Sequence, residues 1–287
     1  MKKYCVDMHL PNQERAIGEK DKFWKVGQAI MVAFLDGTPA QQNAVKRFAI
    51  EWEQFANIKL EFTTDAANSE IRVLFYENWG SWSYVGTDNL FIDKTNPTMN
   101  LGWVTGAAAD LTEDRAVILH EFGHALGLGH EHQSPIGGIK WNAEQVYKEL
   151  GGSPNFWDKQ TVDNNVLIPY NSNQVIGTQL DPKSIMMYPI PASWTLDGFS
   201  TGFNGILSEL DKSFIASVYQ KTTGTDEPSV FNNTYDTLKF MFQTKKELNT
   251  LSERYIVRAG LLLSLPVNIS KRKSENLDIV AKHLELI

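Results

Sequence analysis

Apolar residues near the start of the chain are arranged first as a strand and then as an amphipathic helix. Residues 28–35 (QAIMVAFL) form an apolar run rich in strand-forming side chains, and Asp36-Gly37 ends it. Thr38 has the character of a helix N-cap, and Pro39 stands at the first helical position. Apolar residues then recur at helical spacing and predict a helix with one buried face: Val45, Phe48, Ala49, Trp52, Phe55 and Ala56.

Two more strands are predicted directly after this helix, at residues 58–63 and 70–76. The order strand, helix, strand, strand indicates an α/β or α+β protein with a sheet of mixed direction. Residues 79–86 are rich in glycine, serine and aromatic residues, and we predict a loop there. The pattern of residues 100–104 favours a short strand at the edge of the sheet.

Helical patterns return in the second half of the chain. Asp110 and Glu113 have the spacing of a capping box, which predicts a helix over residues 110–126. Shorter helices are predicted at residues 142–150 and 208–219.

A polar segment divides the chain near its last quarter. Residues 221–228 contain glycine and proline among polar residues, so this segment has the character of a linker. The part before the linker is acidic and holds all eight tryptophans, whereas residues 221–287 are mildly basic. Two helix-like segments are predicted after the linker, near residues 236–258 and 275–286.

The overall composition is that of a folded globular protein. Apolar residues make up 42% of the 287 residues and aromatic residues 11%, which argues against a disordered chain. The net charge of −7 argues against a general nucleic-acid binder, so no nucleic-acid partner is expected. The sequence has no run of eighteen apolar residues, so no membrane span is expected. Because Cys5 is the single cysteine, a disulfide framework within the chain is excluded.

Four of the six histidines lie between residues 120 and 132, where the sequence reads HEFGHALGLGH from the first of them. His120 and His124 are four residues apart on the predicted helix, so both imidazoles project from one face and can bind one cation. Gly127 permits the positive φ that ends the helix and turns the chain, and His130 can then return as a third ligand. Three neutral imidazoles with an open position are the pattern of a catalytic site for one Zn²⁺ per chain.

This arrangement predicts metal-assisted hydrolysis of a peptide bond. Zinc bound by three histidines lowers the pKa of its water to about 7, which generates a nucleophile at neutral pH. Glu121 stands next to the first histidine and can act as general base, accepting the proton of this water and passing it to the leaving amine. The expected partner is therefore a peptide or protein substrate. His132 lies outside the motif spacing and is expected on the surface or behind the ligands.

The string HExxHxxGxxH resembles the signature of the metzincin metallopeptidases. Their second mark is a methionine turn beneath the metal, and residues 181–189 match it in two ways. Ser-Ile-Met-x-Tyr, with Met186 in the turn and Tyr188 two residues later, resembles the astacin branch. Met-Tyr-Pro, with Met187 in the turn, resembles the matrixin branch.

Other residues favour the astacin branch over the matrixin branch. Glu131 directly follows the third histidine, as it does in astacins, where matrixins usually have serine. More than fifty residues separate His130 from the turn, and this long connection is similar to that of astacins. Residues 80–86 (GSWSYVG) are similar to an astacin loop as well. The sequence is thus identified as similar to astacins of the kind found in bacteria and fungi.

The resemblance implies an α+β fold of the metzincin, zincin-like type. It implies a twisted, mostly parallel sheet with two long helices, followed by an irregular C-terminal subdomain. It also implies that Tyr188 is an extra zinc ligand that can swing to stabilise the transition state, with Met186 in a structural role. We therefore expect an N-terminal arm at residues 1–22, a catalytic domain at 23–220 with a subdomain break near residue 130, and an extension of unknown role at 221–287.

The first residues allow two interpretations of how activity is controlled. Thiolates bind zinc well, so Cys5 could occupy the open zinc position and keep the enzyme latent, and Asp7 could do so more weakly. Alternatively, Cys5 belongs to a mobile arm without such a role. In processed astacins the new N-terminus reaches the glutamate after the third histidine, which is Glu131 here. The family is mainly secreted, yet the first residues lack the apolar region of a signal peptide.

Two functions from different classes remain open. The first is a zinc-dependent endopeptidase. The second is a catalytically inactive zincin that serves as a zinc-dependent protein-binding module. The intact general base and the three intact histidines weigh against the second.

Overall fold

The computed structural model describes residues 4–8, 22–170 and 179–221. The chain divides into two units, residues 1–221 and 222–287, and the described residues all belong to the first. The extension with its helix-like segments lies outside the described residues, so the expected division into arm, catalytic domain and extension stays a prediction. In the part of the chain that is described, no helix is long and apolar enough to cross a membrane.

A mixed sheet forms one layer of this unit. Its strands in the described residues are β1 (Val6–Met8), β2 (Ala29–Phe34), β3 (Lys59–Thr63), β4 (Ile71–Leu74), β5 (Ser81–Tyr84) and β6 (Met99–Leu101). They are ordered β1-β5-β6-β4-β2-β3. Neighbouring strands run parallel, except that β5 is antiparallel to β6. The mostly parallel sheet implied by the resemblance is therefore confirmed.

Two longer helices accompany the sheet, and the second half of the unit contains shorter helices joined by irregular segments. The helices are α1 (Pro39–Ala49), α2 (Leu111–Ala125), α3 (Ala143–Leu150), α4 (Lys159–Val162) and α5 (Glu209–Val218). A π-helical turn, Asp163–Leu167, follows α4 directly. This α+β arrangement agrees with the expected fold class.

Helix α1 begins where the sequence predicts it, because the side chains of Thr38 and Gln41 each accept a hydrogen bond from the other residue's backbone amide. The hydroxyl of Thr38 accepts the amide hydrogen of Gln41, and the side chain of Gln41 accepts that of Thr38. The helix ends at Ala49 and continues as a 3₁₀ segment, Ile50–Gln54. Within that segment the indole of Trp52 is fully buried and donates a hydrogen bond to the carbonyl of Leu119 in α2 (3.1 Å), so the two long helices are joined by a polar contact as well as by packing.

Residues 79–86 contain strand β5, so the prediction of a loop for this segment is wrong. β5 has partners on both sides, with Trp82 opposite Val6 of β1 and Ser83 opposite Met99 of β6. Its two serines are buried, whereas Trp82 and Tyr84 are half-buried, so the segment alternates as a strand does. Pairing with residues distant in sequence outweighs the local preference of glycine and serine for loops.

Two further expectations about local structure need correction. The strand predicted at residues 100–104 exists as β6 but lies inside the sheet, between β5 and β4, and not at its edge. Asp110 precedes α2 without a capping hydrogen bond from its side chain, so no capping box forms there. Its backbone, at φ −104 and ψ 4, is not in the extended conformation of an N-cap residue, and its carboxylate instead accepts a hydrogen bond from the hydroxyl of Thr105 (2.8 Å).

The chain leaves α2 through a sharp turn at Gly127. This residue has φ +97, a conformation that side chains with a Cβ rarely adopt. A Cβ atom at this position would also lie 2.7 Å from the ring of Phe23. The turn therefore needs glycine both for its backbone angle and for the space that Phe23 occupies.

Replacing Gly127 with alanine is expected to lower the free energy of unfolding by about 1–3 kcal/mol, because strain in the backbone adds to a steric clash. Urea unfolding followed by tryptophan fluorescence measures this, since all eight tryptophans precede residue 195. Gly138→Ala is the matched control, because Gly138 also has a positive φ (+65) but no atom within 4 Å of its added Cβ. If the two variants lose equal stability, the contact with Phe23 has no energetic role.

Candidate metal centre

Helix α2 carries His120 and His124 on one face, four residues apart. The Nδ1 atom of His120 lies 2.7 Å from the carbonyl oxygen of Ile185, and Nδ1 of His124 lies 2.8 Å from that of Leu128. A carbonyl oxygen can only accept, so each Nδ1 carries the hydrogen and donates it. Each Nε2 atom is then left with a lone pair, which is the form of histidine that binds a metal.

The turn at Gly127 brings His130 back to the same place. Its backbone amide donates a hydrogen bond to the hydroxyl of Tyr170 (2.9 Å), which anchors the returning segment. The ring centroids of the three histidines lie 4.7–5.4 Å from one another. The motif histidines His120, His124 and His130 are thus gathered as the spacing predicts.

Cys5 enters this cluster from the beginning of the chain. Its Sγ atom lies 2.9 Å from Nε2 of His120, 3.9 Å from Nε2 of His124 and 3.1 Å from Nε2 of His130. The four candidate ligand atoms all lie within 4.8 Å of one another. Asp7, the weaker alternative, lies in strand β1, but its side chain is outside the described part of the structure.

The arrangement around these four atoms fits a zinc ion. Three imidazole nitrogens and one sulfur are typical ligands of zinc, and four such atoms match its preferred coordination number. The Nδ1 contacts of His120 and His124 supply the outer hydrogen bonds that orient metal-binding imidazoles. The residues present could therefore hold the metal that the motif predicts.

Glu121 lies on α2 beside the histidines and is 1% exposed. A pocket that opens here is lined by His120 and Glu121 together with apolar side chains of Ala116, Val117, Ile185 and Phe203. Cys5 also lines this pocket. Glu121 therefore lines the space that an extended ligand bound at the histidines would also occupy.

A methionine turn packs beneath the histidines, and Asp211 holds it. One carboxylate oxygen of Asp211 accepts from the hydroxyl of Ser184 (2.7 Å), and the other accepts from the backbone amide of Ile185 (2.8 Å). Burial, although opposed by these hydrogen bonds, raises the pKa of Asp211. Asp211 is not among the residues predicted from the sequence, although Ser208 and Asp211 form a capping box at the start of α5 whose spacing is visible in the sequence.

Met186 lies in this turn and packs against α2. A Cβ atom added to Gly123 would lie 2.4 Å from the sulfur of Met186, so the side chain fills the space that the glycine leaves on the helix. Met187 instead belongs to a second apolar cluster, together with Tyr188 and Trp194. The two candidate methionines therefore face different cores, and Met186 is the one beneath the histidine-bearing helix.

Tyr188 lies over the histidines and contacts the beginning of the chain. Its hydroxyl donates a hydrogen bond to the backbone carbonyl of Cys5 and lies 3.8 Å from the Cys5 sulfur. Its ring lies 4.5 Å from that of His130 and 4.2 Å from that of His132, measured between centroids. His132 is buried, and its Nε2 lies 2.9 Å from the carbonyl oxygen of Asn165, so it packs behind His130 and Tyr188 and is not on the surface.

Glu131 connects the histidine segment to the methionine turn. Its backbone amide donates to the carbonyl of Met186 (3.0 Å), and its carboxylate accepts from the amide of Asp181 (2.9 Å). Burial raises the pKa of Glu131 to about 8, although the hydrogen bond from Asp181 acts in the opposite direction. Glu131 thus holds both ends of the turn close to His130.

Comparisons with known proteins agree with this geometry. A family model described as Astacin, a family of peptidases, matches residues 16–193. A structure of myroilysin is 41% identical, with a TM-score of 0.69, and the match covers 72% of this chain and 98% of that one. A crystal structure of myroilysin is 39% identical, with a TM-score of 0.57 and coverage of 76% and 90%. No curated protein matches the sequence.

A more distant similarity is found to high choriolytic enzyme 1, a hatching enzyme zinc-protease from the medaka fish Oryzias latipes. It is 17% identical, with a TM-score of 0.48, and the match covers 71% of this chain and 96% of that one.

The family match spans more than half of the chain and includes both the histidine motif and the methionine turn. The resemblance to astacins drawn from those motifs is therefore confirmed. The chain belongs to the astacin family and is a zinc-dependent metalloendopeptidase, which acts on peptide or protein substrates.

Proposed function

We propose that His120, His124 and His130 bind the catalytic zinc and that Glu121 is the general base of peptide hydrolysis. The observation that carries this proposal is the pair of hydrogen bonds from Nδ1 of His120 and His124 to backbone carbonyls. These bonds fix the tautomer in which both Nε2 atoms can bind a metal. The short distances from a common sulfur atom to the three Nε2 atoms support a single shared site.

Zinc, when bound, supplies a nucleophile at neutral pH and polarises the carbonyl that is attacked. The carboxylate of Glu121 accepts the proton released by the attacking water and later donates it to the leaving amine. Its burial beside the histidines supports this role, because a proton acceptor excluded from bulk solvent exchanges its proton with the reacting groups.

Tyr188 supplies a hydrogen bond to the reacting carbonyl oxygen. This proposal is supported by the contact that its hydroxyl already makes with a peptide carbonyl, that of Cys5. A substrate carbonyl bound near the histidines would meet the same donor, and the bond would strengthen as negative charge develops on the oxygen. The expectation that Tyr188 is also a zinc ligand stays a prediction.

Cys5 keeps the enzyme latent by placing its sulfur where the substrate must react. The distances of 2.9 and 3.1 Å from Sγ to two of the Nε2 atoms support a thiolate as the fourth ligand. Strand β1 supports the same interpretation, because its pairing with β5 holds the segment directly after Cys5 against the sheet. The first residues of the chain then act as an internal inhibitor, and activity requires that they leave.

An inactive zincin that only binds proteins is not favoured. Such a protein would not need a buried carboxylate beside the histidines, and leaving one there costs desolvation energy. Glu121 is retained in that position, which supports the catalytic alternative.

In a Cys5→Ser background, which removes the latent state, Glu121→Ala is expected to keep one zinc per chain while lowering peptide cleavage by about 10²–10⁴-fold, because Glu121 moves protons and is not a ligand. Metal content and hydrolysis of a quenched fluorescent peptide are measured on the same sample, with and without chelator. Glu113→Ala is the matched control, since Glu113 lies on the same helix and is exposed. Full activity in Glu121→Ala would refute its role as general base.

Cys5→Ser is expected to raise the activity of freshly purified full-length protein by at least about tenfold, the effect of losing about 1.4 kcal/mol of inhibitory binding. Serine is close to cysteine in size but binds zinc far less well, so the variant tests the sulfur itself. Zinc content is measured in parallel and should not change. Equal activity of Cys5→Ser and the unchanged protein would show that Cys5 does not keep the enzyme latent.

Tyr188→Phe is expected to lower kcat by about 10²-fold while KM changes much less, because the hydroxyl acts mainly on the transition state. Steady-state kinetics in a Cys5→Ser background separates these two effects without interference from the latent state. An unchanged kcat with a raised KM would show that the hydroxyl only binds substrate.

A further inference from the structure

Tyr4, the residue before Cys5, fills a slot of its own beside the metal centre. Its side chain is 7% exposed. The ring stacks on Trp194, with centroids 5.2 Å apart and planes at 29°, and lies tilted against Tyr188 at the same centroid distance. Its hydroxyl donates a hydrogen bond to the carbonyl oxygen of Pro189 (3.0 Å). The slot thus has aromatic walls and a polar acceptor that matches a phenol.

The walls of this slot are held by residues outside the N-terminal segment. The indole of Trp194 donates to the carboxylate of Glu149 (2.8 Å). The hydroxyl of Thr201 donates to the carbonyl of Tyr188 (2.6 Å) and accepts from the amide of Ile190 (2.8 Å), which fixes the segment that carries Pro189. None of these bonds involves Tyr4, so the supports of Trp194 and of the segment that carries Pro189 do not require the Tyr4 side chain.

The slot is one residue away from the reacting position. Cys5 brings its sulfur to the histidines and its carbonyl to Tyr188, and Tyr4 is joined to it by one peptide bond. Tyr188 contacts both residues, with its hydroxyl on Cys5 and its ring on Tyr4. A substrate whose carbonyl reaches the histidines therefore places a neighbouring side chain within reach of the same slot.

We propose that this slot is a specificity subsite that selects an aromatic side chain, tyrosine or phenylalanine, next to the scissile bond of the substrate. This inference rests on the proposed function, because it assumes that peptides react at the three histidines. Stacking on Trp194 favours flat rings, and the Pro189 carbonyl adds a hydrogen bond for tyrosine. The carboxylate of Glu149 accepts a hydrogen bond from Trp194, and its negative charge disfavours acidic side chains at this position.

The test uses the full chain with Tyr4→Ala and Cys5→Ser together, loaded with zinc, so that the slot is empty and the latent state is removed. Quenched peptides that are cleaved at one bond carry tyrosine, phenylalanine, alanine or aspartate at each of the two positions flanking that bond. At one of these positions we expect kcat/KM for tyrosine and phenylalanine to exceed that for alanine by about tenfold or more, with aspartate lowest. A profile that does not distinguish aromatic residues from alanine would overturn the proposal.

Adding Trp194→Leu to this protein is expected to bring the ratio between the tyrosine and alanine peptides close to one. Phe156→Ala is the matched control, because Phe156 is an aromatic residue that is 71% exposed, and the ratio should not change. An unchanged ratio in folded Trp194→Leu would assign the preference to another part of the protein and overturn the proposal.

A second measurement does not depend on the folding of a pocket variant. A synthetic peptide of residues 2–8 is compared with the same peptide carrying Tyr4→Ala as inhibitors of the active protein, both with the thiol intact. We expect the Tyr4→Ala peptide to inhibit about tenfold more weakly, and equal inhibition would overturn the proposal. If no peptide is cleaved at all, the proposed function fails. Calorimetric titration of the same two peptides into the zinc-loaded protein then still decides whether the slot binds tyrosine.

Discussion

The orientation of two of the three imidazoles at the metal centre depends on two backbone carbonyls. The carbonyl of Ile185 receives the Nδ1 hydrogen of His120, and that of Leu128 receives the Nδ1 hydrogen of His124. Ile185 is in turn held by Asp211, whose carboxylate also caps α5 at Ser208. A continuous series of hydrogen bonds therefore runs from the last described helix to the ligand-bearing face of α2. This explains why a segment far along the chain is needed to complete a site whose motif lies within a few residues.

The N-terminal segment matches this site at three separate points. The sulfur of Cys5 meets the histidines, the carbonyl of Cys5 meets the hydroxyl of Tyr188, and the ring of Tyr4 enters the slot at Trp194. In the proposed function, each point would correspond to a different element of peptide hydrolysis: the metal, the stabilisation of the oxyanion, and the recognition of a side chain. The segment would thus bind as a substrate does, with the sulfur of Cys5 in the place of the reacting carbonyl group.

Much of the fold and the centre of the site could be predicted from local signals in the sequence. The N-cap Thr38 and the apolar face of α1 are decided within a few residues and are found in the structure, and the motif spacing brings His120, His124 and His130 together. Contacts between distant segments could not be predicted in this way. Strand β5 forms because it pairs with β1 and β6. The ring of Tyr4 stacks on Trp194, which lies near the other end of the described unit in the sequence. No capping box forms at Asp110, because its backbone is not in the extended conformation of an N-cap residue and its carboxylate binds Thr105 instead.

For the proposed latent state, the covalent link between the N-terminal segment and the rest of the chain has a consequence for how activation would become permanent. An inhibitor tethered to its own site acts at an effective concentration on the order of millimolar, so even modest intrinsic affinity keeps the site filled. If the backbone were cut between Met8 and Lys22, the same segment would be diluted to the concentration of the enzyme itself. Its binding would then become bimolecular, and at low enzyme concentration the segment would dissociate without any change in its contacts. A single hydrolytic event would thus commit the molecule to the active form by dilution alone.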